Sequence, residues 1–245
     1  SRYLDINYLN IPILDHRSPT LSQLRQALNW MDTQRRLGRP IMVHCALGRG
    51  RSLFCVAAYL LAKNPGSDVD KLLASITNIR LQAGLNKRQT KAVKRYQELG
   101  EVTLLKPAWL IANPVSGQQK WQVHRREIEN QLGQQFNLKV VETTEDKNGQ
   151  DWAAEAVAEG ADIIIAAGGD GTLAEVATKI VDTDITFGII PLGTANSLAH
   201  SLYGSSSKFI PIAVSLSHIL DGHARPIDTA KCNNKTMLLV SAVGI

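Results

Sequence analysis

The chain has 245 residues, of which 44% are hydrophobic and 20% charged, and its 27 Lys and Arg outnumber 22 Asp and Glu to leave a net charge of +5. That is enough apolar content for two modest cores, and the cationic excess suits polyphosphate ligands or an anionic membrane surface. The sequence excludes low-complexity and repeat proteins, shows no signal peptide and has no apolar run near the ~20 residues that span a bilayer.

In chain order, periodicity and turn signals predict a strand over 8–14, a helix over 21–36, a strand over 40–44 and helices over 52–62, 68–80 and 87–99. A boundary falls between Glu98 and Pro107, which divides the chain into domains 1–102 and 103–245. Beyond it strands and helices alternate: strands over 108–112, 138–143, 162–167 and 186–190, with helices over 118–135, 150–159, 172–181 and 209–221. Strands over 225–230 and 236–243 follow. The whole reads as an α/β protein, its second domain built on a mainly parallel sheet. Cys45, Cys55 and Cys232 have neither metal nor disulfide spacing, which fits a reducing cytoplasm. The cluster Lys87-Arg88, Lys91 and Lys94-Arg95 reads as a solvated helix face, because no aromatic stacking pattern accompanies it to mark a nucleic-acid partner.

The most informative run is His44-Cys45-Ala46-Leu47-Gly48-Arg49-Gly50-Arg51-Ser52. A loop between a strand and a helix N-terminus aims backbone amides at one point, where the helix dipole favours an anion. Arg51 adds a planar two-pronged donor for a tetrahedral oxyanion. The same field favours thiolate over thiol, so Cys45 is expected to be an activated nucleophile beneath a bound phosphate. Ala46, Leu47, Gly48, Arg49 and Gly50 would line that phosphate. Arg49 inside the loop suits a substrate with several phosphates or a lipid headgroup, and reads equally well as a solvated charge.

The matched positions His44, Cys45, Gly48, Arg51 and Ser52 resemble the HCxxGxxRS signature of cysteine-dependent phosphatases, in particular the dual-specificity branch. The resemblance implies a phosphatase-type α/β domain acting on a phosphorylated protein or a phospholipid. It implies an aspartic acid on a separate loop, for which Asp15 is the candidate and Asp5 a weaker rival. Ser52 would assist departure of the thiolate, and His44 would orient the loop.

A second phosphate signature lies at Gly168-Gly169-Asp170-Gly171-Thr172, between the apolar run Ile163–Ala167 and a helix. A diphosphate on such a turn meets free amides and a helix N-terminus, and Asp170 is placed to hold Mg²⁺ directly or through water. Two companions share its form: Asn113-Pro114-Val115-Ser116-Gly117 and Pro191-Leu192-Gly193-Thr194-Ala195-Asn196. If the strands are parallel, these turns converge on one edge, where open α/β sheets bind ligands.

Together NPxSG, GGDGT followed by Glu175, and PLGTAN resemble the diacylglycerol kinase catalytic domain family, which includes sphingosine and ceramide kinases and is distantly similar to NAD kinase. The resemblance implies a three-layer α/β/α nucleotide-binding domain. ATP would sit on Gly168, Gly169, Asp170, Gly171 and Thr172, with Thr194 and Thr144 lining the pocket. Asn113, Gly193 and Asn196 would support its loops. Mg²⁺ would accompany ATP, and a lipid hydroxyl at a membrane surface would accept the phosphoryl group. Ala174 and Ser197 depart from the family, which often has Asn and an acidic residue there. Both families normally extend further than this chain, so both domains are expected to be truncated at the chain ends, with a β-rich kinase portion missing. The expected protein is bifunctional, cytoplasmic and peripheral to membranes. The alternatives are a phosphatase with a non-catalytic nucleotide- or lipid-binding domain, and NAD kinase-like chemistry in the second half.

Overall fold

The computed structural model describes residues 6–204, 208–222, 224–232 and 235–238. The chain divides into two compact units, one ending at Leu105 and the other beginning at Lys106.

The first unit is helical. Its elements are α1 (Leu21–Arg36), α2 (Arg51–Lys63), α3 (Val69–Ile79) and α4 (Lys87–Glu98). Thr20 and Asn86 open α1 and α4 with reciprocal capping boxes to Gln23 and Gln89, each satisfying two otherwise unpaired amides. Asp68 caps α3 by accepting from the Lys71 amide. Leu24, Leu28, Phe54, Ala58, Leu61 and Val93 form the buried core between these helices. Asp32, buried on α1, accepts from Arg36 Nε, Lys63 Nζ and the Tyr59 hydroxyl at 2.8, 3.3 and 3.2 Å, which ties α1 to α2. Burial opposes ionisation of Asp32, but the two cations outweigh it and hold its carboxyl below the usual range.

The strands expected over 8–14 and 40–44 do not form: neither segment has strand structure among the described residues. Both keep the period-two burial that prompted the expectation. Leu9, Ile11 and Ile13 are half-buried between exposed Asn10, Pro12 and Leu14, as Ile41 and Val43 are around exposed Met42. Alternation is a local property, whereas a strand also needs a neighbour to accept its hydrogen bonds; among the described residues neither segment has one.

The second unit is doubly wound. Its order is β1 (Lys106–Ala112), α5 (Lys120–Gln135), β2 (Phe136–Glu142), α6 (Gly149–Ala158), β3 (Ile163–Gly168), α7 (Asp170–Ile180), β4 (Thr186–Pro191), α8 (Ser197–Tyr203) and α9 (Pro211–Asp221). The strands lie parallel in the order β2-β1-β3-β4. On one face Ala108, Leu110, Ile165 and Ile190 pack with Trp121, Ile128 and Leu132 of α5 and Leu216 of α9. On the other, Trp109, Ile111, Ile164 and Ile189 pack with α6, α7 and α8. Burial on both faces explains the continuous apolar runs of β1 and β3.

An antiparallel pair closes the described chain, β5 (Ala230–Cys232) and β6 (Lys235–Met237). It replaces the strand expected over 225–230, which stays irregular before Ala230. The strand expected over 236–243 is present only as far as Met237, and its remainder from 239 lies outside the described residues. Helix α8 was not anticipated, because seven residues are too few for a clear periodic signal.

Candidate active sites

In the first unit the loop over 44–50 runs directly into α2. Gly50 is the N-cap, no side chain caps the helix and no acid stands in its first turn, so the helix start presents positive potential to an anion. Cys45 Sγ lies 3.6 Å from the Ser52 hydroxyl. Burial pushes the Cys45 thiol up, yet the hydroxyl and amide of Ser52 and the amides of Arg49 and Gly48 together bring it down to about 6. Cys55, on the same helix, shows the opposite outcome: burial, and then the nearby charge of Cys45, push it to about 11. The surroundings thus shift the two cysteines in opposite directions, towards thiolate at Cys45 and towards thiol at Cys55.

Arg51 donates through Nη1 to the Ile13 carbonyl at 2.8 Å, and its Nη2 pairs with Asp15 Oδ1 at 3.2 Å. The structure therefore brings Cys45, Arg51, Ser52 and Asp15 to one place across a wide gap in sequence. His44, Ala46, Leu47 and Arg49 are exposed, while Gly48 and Gly50 are half-buried. No hydrogen bond ties the His44 ring among the described residues.

Arg80 and Gln89 were not legible in the sequence. Gly48 has φ +65°, and a Cβ placed on it would meet Arg80 Nη2 at 2.7 Å, so the Arg80 guanidinium lies directly on the loop backbone. The Gly84 amide also donates to the Arg49 carbonyl at 3.3 Å. Gln89, almost fully buried, donates to the Arg17 carbonyl at 3.0 Å and sits against Gly50. It thus links the loop to the segment after Asp15. The capping-box spacing at Asn86 and Gln89 was the available signal for Gln89; nothing local marks Arg80.

In the second unit the turns after β1, β3 and β4 meet. Strand order reverses between β1 and β3, which makes their C-terminal ends the switch point where such sheets form a crevice. The Asn113 amide donates to the Ala167 carbonyl at 2.8 Å, and Asn113 Nδ2 donates to Thr172 Oγ1 at 3.1 Å. A Cβ on Gly193 would stand 2.6 Å from Gly169 Cα, so the two turns touch backbone to backbone. Ser116 Oγ lies against the same Gly169. Lys120 Nζ donates to the Gly193 carbonyl at 3.2 Å, bringing a cation from the start of α5 to this point. Ser116 and Lys120 join Gly168, Gly169, Gly171, Thr172, Gly193 and Asn196, although the sequence had drawn attention only to the motif carrying Ser116.

Asn196 is buried with φ +50°; its Nδ2 donates to the Gly193 carbonyl, and its Oδ1 has no partner. Thr194 is exposed beside it. Thr144 stands in the exposed turn after β2, where its hydroxyl accepts from the Lys147 amide. Both oxygens of Asp170 accept from backbone amides, Ser197 at 3.0 Å and Leu198 at 3.2 Å, so this carboxylate caps α8. Glu175 accepts from the Gly149 amide at the start of α6. Among the described residues no group of His, Cys, Asp and Glu forms a metal-binding cluster.

Two family models match this chain: the dual specificity phosphatase catalytic domain over residues 2–98 and the diacylglycerol kinase catalytic domain over residues 107–232. The uncharacterized protein sll0036 of Synechocystis sp. is 36% identical over 196 residues, covering 76% of this chain and 43% of that protein; a match of that length reaches into both units. The diacylglycerol kinase of Bacillus subtilis is 32% identical over 57% of this chain and 46% of its own length. A crystal structure of a diacylglycerol kinase from Bacillus anthracis str. Sterne shares 30% identity and a TM-score of 0.48, covering 56% of this chain and 47% of its own. The chain spans less than half the length of these relatives.

Proposed function

From a chain that belongs to the diacylglycerol kinase catalytic domain family and carries a dual specificity phosphatase catalytic domain ahead of it, we propose a bifunctional enzyme: a cysteine-dependent phosphomonoesterase joined to an ATP-dependent lipid kinase domain. The observation that carries the first half is the Cys45 thiol, drawn down to about 6 by Ser52 and the loop amides at the start of α2, where the neighbouring Arg51 pairs with Asp15.

In the free site Arg51 is engaged by Asp15 and the Ile13 carbonyl. A substrate phosphate competes for that guanidinium and frees Asp15, which takes up a proton from solvent and turns towards the leaving oxygen. The Cys45 thiolate forms the S–P bond as the P–O bond to the leaving group breaks, and Asp15 delivers the proton that neutralises the departing oxygen. Water then attacks phosphorus, Asp15 takes its proton, and the S–P bond breaks to return the thiolate, steadied by the Ser52 hydroxyl. Arg51 and the loop amides stabilise the equatorial oxygens in both steps.

In the second half the turns at Asn113–Gly117, Gly168–Thr172 and Gly193–Asn196 would hold the nucleotide, with Lys120 near its phosphates. This cradle contributes positioning and charge rather than a covalent intermediate. A single carboxylate, Asp170, with both oxygens already accepting amides, suits Mg²⁺ that arrives on the nucleotide and keeps most of its waters; the ion would neutralise phosphate charge. The acceptor on this reading is a lipid hydroxyl.

A second reading, nucleotide binding without transfer, is favoured by one observation: Asp170 and Glu175 are both engaged in capping helices. The full chain assayed for release of phosphate from para-nitrophenyl phosphate, and for ATP consumption with diacylglycerol, sphingosine or NAD as acceptor, separates these readings. Aryl phosphate hydrolysis with lipid-dependent ATP consumption is the expected result. ATP binding without turnover on any acceptor would select the regulatory reading, and turnover on NAD alone would select the pyridine nucleotide.

A further inference from the structure

We propose that the phosphate site of the first unit faces an anionic bilayer and takes as substrate the phosphomonoester headgroup of a membrane lipid. This rests on the phosphatase reading above and names its substrate class.

Large apolar side chains crowd the surroundings of the loop without being buried. Leu47, inside the phosphate loop itself, is 73% exposed, and Leu14, next to Asp15, is 76% exposed. Ile79 and Leu81 flank Arg80, whose guanidinium lies on the loop backbone, and they are 88% and 85% exposed. Each therefore stands within one residue of a group that touches the site, or in the loop itself. An isolated exposed leucine needs no explanation, but a set gathered around one site marks an interaction surface.

The exposed charges between them include several cations. Among the described residues Arg17, Arg49 and Arg80 are exposed in or next to segments that contact the loop, and the nearby acid Asp15 is paired with Arg51. A surface that interleaves leucine and isoleucine with arginine matches the membrane interface, where apolar side chains enter the acyl boundary and cations meet anionic headgroups. The position of Leu47 decides the direction of approach. Whatever carries the phosphate into the loop must also meet Leu47, and a lipid headgroup brings acyl chains and neighbouring anions with it. A phosphopeptide can also bring apolar side chains, but it offers neither a continuous acyl layer nor a dense field of anions to Leu47, Leu14, Ile79, Leu81 and the arginines together.

The test uses the full chain and phosphatidylcholine vesicles containing phosphatidic acid, the simplest membrane lipid with a phosphomonoester. Phosphate release from these vesicles is compared with release from para-nitrophenyl phosphate and from a phosphotyrosyl peptide, for the parent chain and for the double variant Ile79→Ser, Leu81→Ser. Neither position belongs to the catalytic machinery. The expected result is vesicle turnover that falls at least about tenfold in the double variant, with aryl phosphate turnover unchanged. Aryl phosphate and peptide hydrolysis without vesicle turnover, or vesicle turnover indifferent to the variant, would overturn the membrane assignment and leave the phosphatase intact. No hydrolysis of any substrate would overturn both.

Discussion

The two candidate phosphate sites are built alike, with amides at a bend before a helix, but they differ in what surrounds the bend. In the first unit the reactive atoms lie within one short stretch, Cys45 to Ser52, and distant residues supply Asp15, Arg80 and Gln89. In the second, no single stretch makes the site; turns from β1, β3 and β4 must arrive together, so the register of the parallel sheet is part of the machinery. A nucleophile concentrates function in one atom. A cradle spreads it over backbone positions, and damage to the two should look correspondingly different.

The largest effect expected is therefore from Cys45→Ser. Loss of the sulfur leaves the fold and the loop amides, and para-nitrophenyl phosphate hydrolysis should drop by about four orders of magnitude or more while ATP affinity stays unchanged. Measurable turnover in this variant would erase the distinction between the units. The corresponding blow to the second unit is geometric. Gly193→Ala places a methyl 2.6 Å from Gly169 Cα, a backbone clash that only a shift of one turn relieves. ATP affinity, read by calorimetry, should fall about a hundredfold with phosphatase activity untouched. Unchanged affinity would mean that the nucleotide does not rest on these two turns.

What was legible in the sequence follows the same division. Strands β1, β3 and β4 were readable because they are largely buried on both faces and end in glycine turns; β3, expected over 162–167, runs Ile163–Gly168. The helices of the first unit were equally plain, with α1 found over Leu21–Arg36 as expected. The strands at 8–14 and 40–44 failed because alternation reports which side chains face inward and says nothing of a hydrogen-bonding neighbour. Contacts across sequence were legible only where motifs marked both ends, as for Asp15 and the three turns; Arg80 follows an ordinary amphipathic helix, yet lies on a loop more than thirty positions earlier. Asp170 sits in a phosphate motif and invites a ligand role, while its actual partners are the first amides of α8, a helix too short to anticipate.

Lys120 tests whether the cradle needs a cation as well as geometry. Its ammonium holds the Gly193 carbonyl, and an arriving polyphosphate offers it a stronger partner. Lys120→Ala should weaken ATP binding about tenfold, with a smaller loss for adenosine, which lacks phosphate. Equal losses for both ligands would assign Lys120 to loop support alone.

The smallest effect probes the thiol. Cys45 is brought down to about 6, so its thiolate is lost as pH falls through that value, and the rate of alkylation by iodoacetamide should reach half its maximum near pH 6. The Ser52 hydroxyl, 3.6 Å from the sulfur, is the side-chain contribution to that lowering. Removing it in Ser52→Ala leaves the amides of Ser52, Arg49 and Gly48 in place, so the midpoint should move to higher pH without returning to the ordinary value. A hydrogen bond to a charged group is worth about 1.5 kcal/mol, roughly a tenfold change in the ionisation constant, so alkylation at pH 6 should slow about fivefold. Cys55, pushed up by burial to about 11, stays unreactive over this range and gives the internal control. If the midpoint does not move, the backbone amides alone hold the thiolate, and the two units are more alike than their side chains imply: both would bind charge through the main chain, with the sulfur set on top of it.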